Sequence, residues 1–228
     1  MNKGKLIVIE GVDASGKQTQ TALLYEYVKS LTDRAIKIEF PDYESPSSAV
    51  IKMYLNGDFG KDANSVNPFA ASTFFAVDRF ASFKTKWEKL YNDGYIIIAD
   101  RYVTANMLYQ ASKIEGREAK LEFIEWIKDL EYGKFALPRP DLSIFLDVKP
   151  EISFELMNKR KNKYSGKDEL DIHENNKDFL IKTYENAKFV AEACGFTVID
   201  CVKDGALKTI EEIHEDIKSK IKDFIYES

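Results

Sequence analysis

The stretch LIVIEGVDASGKQTQT at residues 6–21 decides the fold of this 228-residue chain. A short apolar run leads into a loop bounded by Gly11 and Gly16, and Lys17 follows directly before a helix-like segment. This spacing is that of a phosphate-binding loop, in which backbone N–H groups and the N-terminus of the next helix surround an anion. The pattern favours a nucleotide-phosphate site over the alternative, a tight strand-to-helix turn with an exposed lysine.

The residue after Lys17 departs from this motif. That position usually holds serine or threonine, whose hydroxyl binds Mg²⁺. Here it is Gln18, and Thr19 comes one residue later. The loop therefore leaves the set of metal ligands open.

Composition limits the classes of partner. The net charge is −5, so we expect no binding to nucleic acid or acidic membranes through a general basic field. No apolar run approaches the length of a membrane span, and the N-terminus passes directly into a strand, so we expect neither a span nor a signal peptide. Cys194 and Cys201 are expected to be reduced thiols in the core of a cytoplasmic protein.

Strand and helix patterns alternate along the chain. Apolar, β-branched runs predict five strands: Leu6–Ile9, Ile36–Phe40, Tyr95–Ala99, Leu142–Leu146 and Phe196–Ile199. The helix-like segments between and after them are Gln20–Ser30, Ser47–Leu55, Pro68–Tyr91, Thr104–Ser112, Leu121–Tyr132, Ile152–Arg160, Asp178–Cys194 and Thr209–Phe224. This order predicts a single α/β domain over residues 1–228, a P-loop NTPase-type parallel sheet of about five strands with helices on both faces.

Charged residues follow several predicted strands, at the sheet edge where ligands of parallel sheets bind. Asp13 lies inside the phosphate loop, and Asp100 and Arg101 follow the third strand. Aspartates in such places bind Mg²⁺ directly or through water, so Asp13 and Asp100 are candidate metal residues. Arg101 is a candidate phosphate ligand, with a salt bridge to a neighbouring carboxylate as the alternative. For Asp147, after the fourth strand, a helix N-cap is the favoured interpretation.

Phe75 and Arg79 lie four residues apart in a predicted helix and therefore share one face. An aromatic plane beside a guanidinium suits a stacked base with polar edge atoms. Taken alone, however, an aromatic on a long helix is usually a core residue, and this alternative stays open.

Taken together, these motifs resemble the thymidylate kinase family of nucleoside monophosphate kinases. The matching segments run in order: IEGVDASGK at 9–17, FP at 40–41, FFAVDR at 74–79, DRYVTANMLYQ at 100–110, LPRPDLSIFLDV at 137–148 and the region 171–174. The resemblance implies an enzyme that transfers the γ-phosphoryl group of ATP to dTMP, with Mg²⁺, giving dTDP for dTTP synthesis. It also suggests a homodimer, formed through long helices such as Pro68–Tyr91.

The resemblance also implies roles for individual residues. The implied ATP-binding residues are Gly11, Ala14, Ser15, Gly16, Lys17, Gln18 and Thr19. The implied dTMP-binding residues are Asp13, Phe40, Tyr43, Phe75, Arg79, Arg101, Asn106, Tyr109, Gln110 and Glu174. Within this set, Phe75 would stack on thymine, Arg79 and Asn106 would bond its edge, and Tyr109 would pack under the sugar. The implied catalytic residues are Lys17, Asp13, Arg101 and Arg160.

Two further departures from the family pattern concern cations. An arginine usually follows the Phe-Pro pair, where this chain has Asp42 and Tyr43, and some members carry one inside the phosphate loop, where this chain has Ala14. We therefore expect the transition-state cation to come from a short lid at about 159–175, in which Arg160 is the only arginine. The basic stretch KRKNKYSGK at 159–167 is typical of a mobile closing loop.

Two other functions stay open. One is a related kinase with another deoxynucleotide or deoxynucleoside as acceptor. The other is a nucleotide-binding protein with little catalysis. Gln18 and the missing arginine favour this last function, whereas Lys17, Asp13, Asp100 and Arg101 argue against it.

Overall fold

The fold is built on a five-stranded sheet in which all strands are parallel. A computed structural model describes residues 3–62, 64–157 and 177–226. The strands are β1 (Lys5–Gly11), β2 (Ala35–Glu39), β3 (Ile96–Asp100), β4 (Leu142–Asp147) and β5 (Thr197–Asp200), in the order β2-β3-β1-β4-β5. The five predicted strands are therefore present, and the predicted fold class is confirmed.

Helices fill each of the connections between strands. They are α1 (Lys17–Leu31), α2 (Ala49–Leu55), α3 (Pro68–Ser82), α4 (Glu88–Asn92), α5 (Val103–Tyr109), α6 (Arg117–Lys128), α7 (Pro150–Met157), α8 (Lys177–Ala193) and α9 (Ile210–Tyr226). A π-helical turn, Phe83–Trp87, joins α3 to α4, and a second one, Asp129–Lys134, extends α6. An unexpected hairpin of β6 (Val202–Lys203) and β7 (Ala206–Leu207) precedes α9.

The side chains of β1 alternate between two apolar cores. Leu6 and Val8 pack into an aromatic-rich core with residues of α5, α6 and α8. Ile7 and Ile9 pack on the opposite face, with residues of α1 and α9. Burial on both faces explains why β1 is a continuous apolar run, because neither side of the strand meets water. It also fixes the strand in the centre of the molecule.

The strand order places the ends of β1 and β3 side by side. Ile9 pairs with Asp100 in the parallel register, so the phosphate loop after β1 and the turn after β3 begin at the same sheet edge. The chain visits β2 and β3 on one side of β1 and then crosses to β4 and β5 on the other. Ligands of open parallel sheets bind at such a reversal, beyond the carboxyl ends of the strands.

No helix among the described residues is long and apolar enough to cross a membrane.

Candidate active site

The phosphate loop is the turn from β1 into α1, and two glycines shape it. A Cβ on Gly11 would lie 2.5 Å from the Ser15 hydroxyl oxygen, so a side chain does not fit there. Gly16 has a φ of 82°, in the left-handed region that favours glycine, and it precedes α1 without a side-chain cap. The first N–H groups of α1, which lack partners inside the helix, can therefore serve an anion.

Lys17 is buried inside this loop, with 7% of its surface exposed. Its Nζ donates a hydrogen bond of 2.7 Å to the carbonyl oxygen of Val12. Burial lowers the pKa of Lys17 to about 7, and the nearby positive charge of Arg101 acts in the same direction. The exposed-lysine alternative is therefore wrong, because the ammonium group has lost most of its water and would gain from an anionic ligand.

Arg101 and Asp13 form an ion pair at the junction of β1 and β3. One Nη of Arg101 lies 2.6 Å from a carboxylate oxygen of Asp13. The guanidinium also lies over the ring of Tyr109, 4.8 Å from its centre. Arg101 has a φ of 65°, an unusual left-handed conformation for a residue with a Cβ. The salt bridge considered as the alternative for Arg101 is thus present, and Arg101 also lines the cleft described next.

A cleft with a cavity volume of about 90 Å³ opens beside the phosphate loop. Its walls bring together the predicted dTMP-binding residues Asp13, Phe40, Tyr43, Phe75, Arg79, Arg101, Asn106, Tyr109 and Gln110. Pro41, Leu55 and Ala105 complete the lining. Residues from the loops after β1, β2 and β3, and from three helices, therefore converge on one cavity.

Phe75 belongs to a small apolar cluster and also lines the cleft, and its base-stacking role stays a prediction. It is half-buried and packs against a small cluster that contains Ile51 and Tyr54 of α2. The centres of the Tyr54 and Phe75 rings lie 6.2 Å apart in an edge-to-face arrangement. Phe75 also lines the cleft, so its ring packs against this cluster and contributes to the wall of the cavity.

Arg79 does not extend freely into the cleft, because Glu131 holds it from behind. Its Nε and one Nη each donate a bond of 2.6 Å to the Glu131 carboxylate. Asn106 donates to the same carboxylate at 3.1 Å. Glu131 is fully buried and was missed by the sequence analysis. The available signal was its position eight residues after Phe123 and four after Ile127, which places an acidic residue on the buried face of a helix.

A sequence model of the family described as thymidylate kinase matches residues 9–217. The chain belongs to the thymidylate kinase family. The thymidylate kinase of Schizosaccharomyces pombe is 30% identical over 218 residues, which are 95% of this chain and 90% of that protein. A probable thymidylate kinase of Archaeoglobus fulgidus is 31% identical over 96% of both chains.

Solved structures give the same result. The thymidylate kinase of Candida albicans superimposes with a TM-score of 0.72 and 25% identity, and the match covers 98% of this chain and 93% of that one. The predicted resemblance to thymidylate kinases, and with it the prediction of a nucleoside monophosphate kinase, is confirmed.

The position after the Phe-Pro pair, where thymidylate kinases usually have arginine, carries a paired carboxylate. The carboxylate of Asp42 forms a salt bridge with Lys86. Its backbone N–H donates a bond of 2.8 Å to the buried carboxylate of Asp78, which also accepts a bond from the Ser47 hydroxyl. This network holds the loop after β2 against α3, and its cation, Lys86, is already paired with Asp42.

The two candidate metal residues lie near Lys17 but do not form a complete metal site. The described residues contain no cluster of three or more His, Cys, Asp or Glu side chains arranged to hold a metal ion. Asp100 is 8% exposed, and Asp13 is engaged by Arg101. Gln18, in the position that usually supplies a hydroxyl, is exposed together with Thr19 in the first turn of α1. An ion here would need ligands from phosphates and water, which is how Mg²⁺ is commonly held.

Glu10 was also missed, although it lies inside the quoted loop motif. It is fully buried at the end of β1. One carboxylate oxygen accepts bonds from the Tyr102 N–H at 3.0 Å and the Thr104 hydroxyl at 2.6 Å. Burial raises the pKa of Glu10 above its usual value, and the bond from Thr104 opposes that shift. Glu10 thus ties the turn that carries Arg101 to the central strand.

Three predictions remain to be placed. Arg160 and Glu174, with the lid at about 159–175, lie outside the described residues. The N-cap interpretation of Asp147 is wrong, because α7 begins only at Pro150. The carboxylate of Asp147 instead accepts a bond of 2.9 Å from the Tyr184 hydroxyl and pairs with Lys188, so it attaches α8 to the end of β4.

Proposed function

We propose that this protein transfers the γ-phosphoryl group of ATP to dTMP, giving dTDP and ADP. The observation that carries the proposal is the single cleft that joins the predicted dTMP-binding residues to the phosphate loop, in a chain of the thymidylate kinase family. In this reaction the bond between the γ-phosphorus and its bridging oxygen breaks, and a new bond forms to a phosphate oxygen of dTMP. The protein has to place two anions in line and to offset their charge.

The donor end is the phosphate loop. The N–H groups at the start of α1 and the ammonium group of Lys17 surround the phosphates of ATP. Because Lys17 is buried and already bonded within the loop, it is held in place before the nucleotide arrives. Such a preorganised cation stabilises the charge that shifts during transfer.

The acceptor end is the cleft. Phe75 stacks on the base, Arg79 and Asn106 bond its edge, and Tyr109 packs beside the sugar. Arg101 then has a double role, since it pairs with Asp13 and binds the acceptor phosphate with the rest of its fork. Tyr109 supports the guanidinium from below, at 4.8 Å.

Mg²⁺ would be held by Asp13 and Asp100 together with phosphate oxygens and water. Carboxylate oxygens are the hard ligands that this ion prefers, and one or two of them are usual at nucleotide sites. When bound, the ion neutralises phosphate charge. Arg160 and Glu174 are proposed to close over the two nucleotides from the lid, an inference that rests on the sequence alone.

The homodimer is supported by an apolar stripe on α3. Phe69, Val77 and Phe80 are exposed at 45%, 51% and 39%, and they lie on one face of the helix. The rings of Trp126 and Phe135 continue the stripe, with centres 4.8 Å from Phe69 and 5.3 Å from Phe80. Large exposed apolar patches of this kind mark interfaces. The single domain and the cytoplasmic location remain predictions.

A coupled ADP-release assay tests the activity. Purified protein with ATP and Mg²⁺ should turn over dTMP with a higher kcat/KM than dUMP, dCMP or thymidine. Faster turnover of another acceptor would identify the related kinase instead. Binding of nucleotides without ADP release from any acceptor would identify the weakly catalytic protein.

A further inference from the structure

Glu131 lies behind the cleft and does not form part of its lining. Its side chain is fully buried in the turn that follows α6. One carboxylate oxygen accepts from Arg79 Nε at 2.6 Å, and the other accepts from Arg79 Nη2 at 2.6 Å and Asn106 Nδ2 at 3.1 Å. A single anion therefore holds two polar side chains of the cleft, Arg79 and Asn106.

These contacts fix which way the amide of Asn106 points. Its nitrogen donates to the Glu131 carboxylate and to the carbonyl oxygen of Ser72, both at 3.1 Å. Carboxylate and carbonyl oxygens can only accept, so the nitrogen of the amide must face them and the two groups exclude the flipped orientation. The amide oxygen is then the polar atom that Asn106 can offer to a ligand, and it is an acceptor.

The same carboxylate fixes the guanidinium of Arg79. The paired bonds to Nε and Nη2 form a fork-to-fork contact, which sets the plane of the group as well as its position. Three of the five N–H groups of an arginine remain after such a contact, and all of them are donors. Arg79 and Asn106 thus present one donor and one acceptor in a fixed order.

We propose that Glu131 is a positioning residue that fixes this donor–acceptor order and thereby selects the base of the acceptor nucleotide. The proposal rests on the proposed function, in which that nucleotide is dTMP. A pyrimidine with a carbonyl beside a ring N–H, as in thymine and uracil, complements the pair. Cytosine carries an amino group beside a bare ring nitrogen and would set donor against donor and acceptor against acceptor. Sites built for one pattern reject the other strongly, because buried polar groups are left without partners.

Replacing the carboxylate with an amide weakens this constraint. In Glu131→Gln the new NH₂ group must face a donor of Arg79 or of Asn106, so one of those contacts is lost. Where the contact to Asn106 is lost, the Ser72 carbonyl still accepts from the Asn106 nitrogen, so the flipped amide that would accommodate cytosine becomes less unfavourable. A role in stability alone would instead weaken the use of both nucleotides by the same factor.

The experiment compares kcat/KM for dTMP and dCMP in the wild-type protein, Glu131→Gln, Glu131→Asp and a control. Asp129→Asn is the matched control, because this nearby carboxylate is 62% exposed and pairs with Lys134 at the surface. We expect Glu131→Gln to lower the dTMP-to-dCMP ratio at least tenfold, mainly through the KM for dTMP, while the KM for ATP changes less than twofold. Glu131→Asp keeps the charge but is too short to reach both partners, so its ratio should fall at least threefold.

Each outcome decides one question. An unchanged ratio in both Glu131 variants overturns the proposal, as does an equal fall of the ratio in Asp129→Asn. If Glu131→Gln does not fold, the ratio in Glu131→Asp decides alone. A wild-type protein that uses another acceptor in preference to dTMP refutes the proposed function itself, which is a separate result.

Discussion

Nucleotide binding should take up a proton through Lys17. Burial holds the pKa of its amine at about 7 in the free protein, whereas a bound polyphosphate favours the charged form and raises that pKa again. At pH 8 a group with a pKa of about 7 is roughly nine-tenths neutral, so binding should take up about 0.9 proton. A lysine whose pKa rises on binding favours the complex at low pH, where the amine is already charged. The dissociation constant of the nucleotide should therefore increase by roughly 50-fold between pH 7 and pH 9.

Titration calorimetry measures this uptake directly. The apparent binding enthalpy of ATP with Mg²⁺ is determined at pH 8 in buffers of different ionisation enthalpy, and its slope gives the protons taken up. The phosphates of ATP are fully ionised at this pH, since their pKa lies near 6. They therefore contribute little to the slope.

Lys17→Met is the control, because it keeps the apolar stem and removes the amine. Its slope should fall close to zero at nucleotide concentrations high enough to saturate it. A wild-type uptake below about 0.3 proton at pH 8, or equal uptake in Lys17→Met, would show that the buried amine stays charged and that the reasoning from burial is wrong.

Four further predictions address the remaining residues. Phe75→Ala should raise the KM for dTMP roughly 5- to 150-fold, the equivalent of about 1–3 kcal/mol of lost stacking, whereas Phe74→Ala, which removes a ring outside the cleft lining, should lower the melting temperature with a smaller effect on this KM. Asp100→Asn should raise the Mg²⁺ concentration for half-maximal rate, and an unchanged titration would contradict a metal role. Arg160→Lys should lower kcat more than tenfold with little change in either KM, and near-normal kinetics would instead indicate a solvated basic loop. Val77→Glu should convert a dimer into monomers in sedimentation experiments, and a monomeric wild type would refute the dimer.

The sheet could be predicted from the sequence because its strands are buried on both faces. A strand such as β1, whose neighbouring side chains enter two different cores, has to be apolar throughout, and that run is visible without any structure. The π-helical turn Phe83–Trp87 was not predicted, because Phe83, Trp87 and Tyr91 have the four-residue spacing that an ordinary α-helix also shows. The hairpin of β6 and β7 was missed because strands of two residues are too short to show an alternating pattern.

The residues that line the cleft could be predicted from the sequence, but the buried carboxylates that hold some of them in place could not. The residues that face the cavity belong to motifs that can be compared with a family. Glu131 and Glu10 act through partners that are 52 and 94 residues away in the chain, Arg79 and Thr104. In the sequence, such a carboxylate looks like any other residue of a helix or strand, because its hydrogen-bond donors lie close to it only in the folded chain. The same holds for the ion pair of Arg101, since no pattern in the chain indicates that Asp13 is its partner.

All cleft residues except Asp13 fall within residues 40–110, one contiguous piece of the chain. Exchanging that piece between two relatives would transfer the surroundings of the acceptor nucleotide in a single recombination step. The exchanged segment would lack the two buried carboxylates that support the cleft, however, because Glu10 and Glu131 lie on either side of it. A chimera should therefore inherit its acceptor preference from the donor parent only when the recipient has a buried carboxylate at both positions. The unit that engineering must move is thus one segment plus three outlying residues, Glu10, Asp13 and Glu131.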